Sequence, residues 1–90
     1  MKTYELIISG RVQGVNYRKF VLEVAQTLHY TGYVHNLPNR TVRVVVNAEF
    51  EEELEFFISK LHEGPLFARV DTISSQCIDT LLFESFTLKA

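Results

Sequence analysis

Apolar and polar positions repeat along this chain with two different periods, and each change of period marks an element. Tyr4-Glu5-Leu6-Ile7-Ile8-Ser9 is a short, mostly apolar run that predicts a first strand over Thr3–Gly10. Tyr17, Val21, Val24, Ala25 and Leu28 then recur at helical spacing, predicting a helix over Tyr17–Leu28 with Asn16 as its N-cap. His29-Tyr30-Thr31-Gly32 stops it, although no glycine directly follows the last periodic residue. Tyr33–Asn36 reads as a second short strand. Leu37-Pro38-Asn39-Arg40 follows as a tight turn, because Pro38 presets φ at its second position and Asn39 suits the third. Thr41–Asn47 alternates, with Val42, Val44 and Val46 on one face and Arg43, Val45 and Asn47 on the other, which completes a hairpin.

The second helix carries Phe50, Leu54, Phe57, Ile58 and Leu61 as one apolar stripe. Glu51, Glu52, Glu53 and Glu55 stand in its early turns and Lys60 and His62 at its end, an order that suits the helix dipole. Gly64-Pro65 terminates it. Arg69–Ile78 is strand-like, a loop surrounds Asp79-Thr80, and Ser85–Lys89 is a short last strand. The order β-α-β-β-α-β, plus a small terminal strand, makes two split βαβ units. It predicts an α+β ferredoxin-like sandwich: an antiparallel sheet with both helices on one face and a short C-terminal strand.

Composition narrows the class. Ninety residues make a single domain, 1–90, and the 47% hydrophobic content is that of a globular chain. A net charge of −2 argues against nucleic acid as a general partner. No apolar stretch approaches the roughly 18 residues of a membrane span, and Met1-Lys2-Thr3 leads into a strand rather than a secretory signal. The single cysteine, Cys77, excludes an internal disulfide and, lying in a strand with no basic neighbour, reads as an inert buried thiol. A cytoplasmic monomer is the expectation. The charge is uneven: residues 1–45 hold six basic side chains against two acidic, and residues 46–90 hold three against nine. That asymmetry suits a small anionic ligand in the first half.

The stretch Gly10-Arg11-Val12-Gln13-Gly14-Val15-Asn16-Tyr17-Arg18 links the first strand to the first helix. N–H groups at a helix start lack intrahelical partners and the dipole is positive there, so an anion fits. Gly14 lets backbone approach a ligand closely, and Arg18 adds a planar fork of donors. The loop is neither a Walker A nor a complete GxGxxG, and two glycines in a strand-to-helix turn also serve purely structural roles. His29, His35 and His62 show no metal-site spacing and read as surface residues. Asn36, closing the second strand, reads on its own as a cap or turn residue.

As a string, GRVQGVNYR resembles the signature of the acylphosphatase family, G-R-V-Q-G-V-x-[FY]-R, and TGYVHN (Thr31–Asn36) resembles that family's G-[WY]-V-x-N. The likeness continues in pattern through TVRVVVNA, the acidic helix, Gly64-Pro65 and the closing SFTLKA. It implies hydrolysis of an acyl phosphate to carboxylate and inorganic phosphate, without cofactor or metal. It further implies that Arg18 binds the phosphoryl group together with the loop N–H groups of Val12, Gln13, Gly14, Val15, Asn16 and Tyr17, and that Asn36 positions the attacking water. Some positions depart from the family pattern. Asn16 stands where glycine is usual, and if φ is positive there asparagine is the most tolerant substitute. Asn39-Arg40 replaces a usual Asp-Gly turn, His29-Tyr30 a glycine-bearing helix end, and Asn47-Ala48-Glu49 lacks a glycine before the second helix. The alternative reading is a non-catalytic ferredoxin-like module that holds an anion or a protein partner.

Overall fold

The computed structural model describes residues 1–90. The first strand, β1 (Lys2–Arg11), lies inside the sheet, antiparallel to β3 (Val42–Ala48) on one side and β4 (Arg69–Ile78) on the other. β2 (Thr31–Asn36) pairs antiparallel with β3, and β5 (Phe86–Lys89) adds to β2 in parallel, giving the order β4-β1-β3-β2-β5. The four longer strands form the expected antiparallel sheet. The terminal strand makes the whole sheet mixed.

Alternation decides which face is covered. Tyr4, Leu6 and Ile8 of β1, Val34 of β2 and Val42, Val44 and Val46 of β3 all point to one side. Against them pack Tyr17, Val21 and Ala25 of α1 (Tyr17–Thr27) and Leu54, Phe57 and Leu61 of α2 (Glu51–Glu63). Phe50, expected in the α2 stripe, instead sits at the N-cap position with its ring exposed, because it precedes the first helical turn. Glu53 satisfies that terminus by accepting from the N–H groups of Phe50 and Glu49, each at 3.0 Å.

The other face is crossed by the segment joining β4 to β5, from one sheet edge to the other. Leu81 N–H donates to Thr3 Oγ1 at 3.0 Å, Thr3 in turn donates to Asn47 Oδ1 at 2.6 Å, and Phe83 stands edge-on to Tyr33 at 5.8 Å. This explains why Thr3, Val45 and Asn47 are buried on the side opposite the helices. Arg43 on the same face is half-buried, with Nε 2.7 Å from Glu5 Oε2. Cys77 is exposed rather than buried, because β4 is an edge strand with few covered side chains. No helix is long and apolar enough to cross a membrane.

The end of α1 closes without glycine. Tyr30 N–H reaches Ala25 O at 2.9 Å and His29 N–H reaches Gln26 O at 3.2 Å, with His29 at φ 61°. That is the Schellman pattern, with a histidine in the left-handed position glycine ordinarily takes.

Candidate functional site

One end of the sheet carries the strand-to-helix loop, the end of β2 and the C-terminal strand. β1 enters the loop through Gly10 at φ 127°, where a Cβ would collide with the main-chain oxygen of Arg69. Gly14 has open space round it, so its φ of 73° is what calls for glycine. Asn16, at the N-cap position, takes φ 62° and ψ 25° and its side chain makes no capping bond. Its role in starting α1 is therefore backbone geometry, and asparagine enters the left-handed region more readily than most residues.

Tyr17 then anchors the first turn of α1. Its side chain is buried, and its hydroxyl donates to Leu61 O of α2 at 2.7 Å. Burial raises the phenol pKa well above the ordinary tyrosine value. With the turn held in this way, the main-chain N–H groups from Val12 through Lys19 have no acceptor within the protein. The first turn of any helix leaves such groups free, but here the run begins several residues earlier.

Gln13 fixes the loop to its neighbour. Its Nε2 donates to Leu37 O and to Thr41 O, both at 2.9 Å, across the turn that joins β2 to β3. The loop is thereby held beside Asn36, the last residue of β2. Asn36 Oδ1 is buried and has no hydrogen-bond partner, an uncommon state for a buried polar atom. Arg18 is half-buried on α1, and its Nη1 donates to Lys89 O of β5 at 3.4 Å.

These elements enclose a cleft of about 340 Å³ lined by Val12, Gln13, Gly14, Asn16, Tyr17, Arg18, Lys19, Asn36 and Leu88. Of the residues singled out in the sequence, only Val15 is outside it, packed half-buried against the core. Val12 and Tyr17 have buried side chains, so their contribution is main-chain. Lys19 and Leu88 were not anticipated. Lys19 could have been suspected from standing next to Arg18, whereas Leu88 arrives through the β2–β5 pairing and left no local signal. No carboxylate, histidine or thiol lines the cleft, and no three metal-ligating side chains cluster anywhere in the chain. A separate, mostly apolar groove between α1 and α2, about 290 Å³ and lined by Phe20, Val24 and Phe56 among others, includes none of these cleft residues.

Chemically, the cleft offers a row of free N–H donors, a guanidinium, an ammonium close by and one unpaired amide oxygen. Such a set binds an anion with tetrahedral or planar oxygens and leaves an acceptor for a further donor.

Comparison with known proteins gives one consistent answer. The acylphosphatase family model matches residues 4–88. An acylphosphatase from Thermus thermophilus is 43% identical over 70 residues, covering 78% of each chain. One from Archaeoglobus fulgidus is 37% identical over 86 residues and 96% of each. Among solved structures, the acylphosphatase from Bacillus subtilis superimposes with a TM-score of 0.92 at 30% identity, over the full length of both chains. HypF from T. kodakarensis matches with a TM-score of 0.87 at 35% identity, the whole of this chain corresponding to 12% of that one.

Proposed function

Because the chain belongs to the acylphosphatase family and hydrolyses acyl phosphates to a carboxylate and inorganic phosphate, we propose that the loop N–H groups, Arg18 and Asn36 carry the reaction. The phosphoryl group rests on the N–H groups between Val12 and Tyr17, with the Arg18 guanidinium across its oxygens. Asn36 Oδ1 accepts a hydrogen bond from a water and aligns it for in-line attack on phosphorus. The observation that carries this reading is the meeting, in one cleft, of an arginine, a run of unbonded N–H groups and a buried amide oxygen without a partner.

The chemistry asks for little more. A carboxylate leaves without needing a proton, since its conjugate acid has a pKa of about 4. Phosphoryl transfer passes through a loose transition state whose charge spreads over three equatorial oxygens, so positioning and charge stabilisation dominate. Preorganised donors in a cleft supply the second, and the bound geometry of the water supplies the first. The absence of a carboxyl or imidazole acid from the lining, with the Tyr17 phenol bonded away to Leu61 O, fits acyl phosphates and fits phosphomonoesters poorly, because an alkoxide leaving group calls for protonation. No cofactor has a role in this scheme. Lys19, exposed at the cleft rim, adds charge that draws the anion in.

We further place the enzyme in the cytoplasm, a reading supported by its one exposed, unpaired thiol, and take it to act as a monomer. Turnover of benzoyl phosphate in ¹⁸O-labelled water tests the mechanism. Attack at phosphorus puts the label in inorganic phosphate. Label in benzoate would mean attack at the acyl carbon, where neither Arg18 nor the loop has the proposed part.

A further inference from the structure

On the other flank of the same loop lies a second hollow, about 330 Å³, lined by Gly10, Arg11, Val12, Gln13, Arg40 and Arg69. It shares Val12 and Gln13 with the phosphate cleft, so the two adjoin. Three arginines converge on it from the end of β1, the β2–β3 turn and the start of β4, and no carboxylate lines it. Arg69 is held by Asp71, through Nε to Oδ1 at 2.9 Å and Nη2 to Oδ2 at 3.3 Å. Arg11 and Arg40 have no ion-pair partner. In a chain of net charge −2, this concentration of guanidiniums runs against the overall balance.

Two features of the backbone make the grouping costly for folding alone. The pairing of β1 with β4 shifts register after Ser9↔Thr72, so that Gly10 faces Val70 and Arg11 faces Arg69, with Asp71 as the extra residue. Without that bulge Arg11 would oppose Val70. Like charges directly opposite across two strands repel, and bulges are a means of re-aiming a side chain beside a functional site. Arg40 occupies the β2–β3 turn at φ 70°, a left-handed position where glycine would be unstrained. Both features place a guanidinium at the hollow, at a position where a different residue would serve the fold better. Asp71 already offsets Arg69, so the charges left for an anion in the hollow to offset are those of Arg11 and Arg40.

We propose that Arg11 and Arg40, with Arg69 behind them, form a second anion subsite that receives a remote carboxylate or phosphate of the substrate. The preferred substrates are then acyl phosphates whose acyl part ends in a second anionic group. This rests on the reading of the adjoining cleft as the acyl-phosphate site. The phosphoryl group stays with the loop and Arg18, and the chain of the acyl part crosses the Val12–Gln13 ridge to the arginines.

The test compares three substrates: the monophosphate of a four-carbon dicarboxylic acid, the same compound with its free carboxyl as a methyl ester, and benzoyl phosphate. The variants are Arg11→Gln, Arg40→Gly and the double substitution; glycine at position 40 fits the φ observed there, so folding is preserved. Each substitution should lower kcat/KM for the free-carboxylate substrate by roughly 2–5-fold, the range of an exposed charge pair, through KM. The ester and benzoyl phosphate should change by less than about 2-fold, and the wild-type preference for the charged substrate should shrink as salt is raised. Equal losses on all three substrates, or none on the charged one, would overturn the subsite. Failure of the wild type to hydrolyse benzoyl phosphate would instead count against the acyl-phosphate reading. In that event the subsite is read by calorimetry with the phosphonate analogue of the dicarboxylate, CH₂ replacing the bridging oxygen. Weaker binding to the double variant supports the subsite, and unchanged binding overturns it.

Discussion

Removing the Gln13 side chain should loosen the loop without touching any group assigned to the chemistry. Gln13→Ala deletes a donor that makes two 2.9 Å bonds, to Leu37 O and Thr41 O. Neither carbonyl is left bare, since Arg40 N–H also reaches Leu37 O at 3.2 Å and Leu37 N–H reaches Thr41 O at 2.9 Å. The loss therefore sits near the low end of the usual range, about 0.5–1 kcal/mol per bond and about 1–2 kcal/mol in all. For a domain of this size each kcal/mol moves Tm by about 4–8 °C, so the fall should be plain in a thermal scan followed by circular dichroism. Turnover should fall as well, by roughly 10-fold, because the loop is no longer pinned beside Asn36 and small misplacements in a positioned site are expensive. Gln13→Glu sharpens the test. A carboxylate facing two carbonyl oxygens repels them, so this variant should be less stable than Gln13→Ala at neutral pH. Its carboxyl pKa is raised in the fold, so the deficit should shrink as pH falls and the group becomes a donor. A Tm within about 1 °C of wild type for Gln13→Ala, or Gln13→Glu as stable as Gln13→Ala at neutral pH, would show that these two bonds do not hold the loop.

Three further outcomes are expected. Arg18→Lys keeps a charge but loses the planar fork, and should lower kcat/KM by roughly 10²–10³ with an unchanged far-ultraviolet spectrum; near-normal activity would remove Arg18 from the mechanism. His29→Gly should raise stability by about 0.5–1 kcal/mol in urea unfolding, because the left-handed position at φ 61° favours glycine by more than glycine's extra unfolded-state entropy; a loss would mean the histidine ring supplies packing there. The buried Tyr17 phenol, its pKa raised by desolvation, stabilises the fold fully below the unfolded-state value of about 10. That contribution should disappear as pH rises beyond it, adding about 1.4 kcal/mol per pH unit to the alkaline slope. Tyr17→Phe should remove this share and leave only that of Tyr30, whose phenol pKa is raised by burial and by Glu53. An unaltered alkaline slope in Tyr17→Phe would assign it to another group.

What could be read from the chain followed from how locally each feature is encoded. The run Gly10–Arg18 is contiguous, so strand, loop and helix start declared themselves together, whereas the left-handed backbone at Asn16 was suggested only by the glycine usual at that position in the resembled family. Asn36 was legible as a strand end, but its approach to the loop depends on the Gln13 bonds across to the β2–β3 turn, a contact no periodicity encodes. Leu88 reaches the cleft, and Lys89 O reaches Arg18, only through the parallel pairing of β5 with β2, and parallel edge pairing leaves little trace in four residues. Phe50 and Cys77 were misjudged for the same reason: hydrophobicity reports what a residue tolerates, while helix phase and edge position decide what is covered. The arginine hollow was invisible because its three side chains come from three separate elements.

Asn36 separates the guiding of the water from the holding of the anion. Asn36→Ala should reduce steady-state hydrolysis of benzoyl phosphate by at least ~10²-fold, since the water loses its guide. Inorganic phosphate, measured as competitive inhibitor and by calorimetry, should bind the variant as it binds wild type, because the loop and Arg18 hold it. Unchanged turnover, or phosphate affinity that collapses in step with turnover, would contradict the assignment of Asn36 to the water and of the loop and Arg18 to the anion.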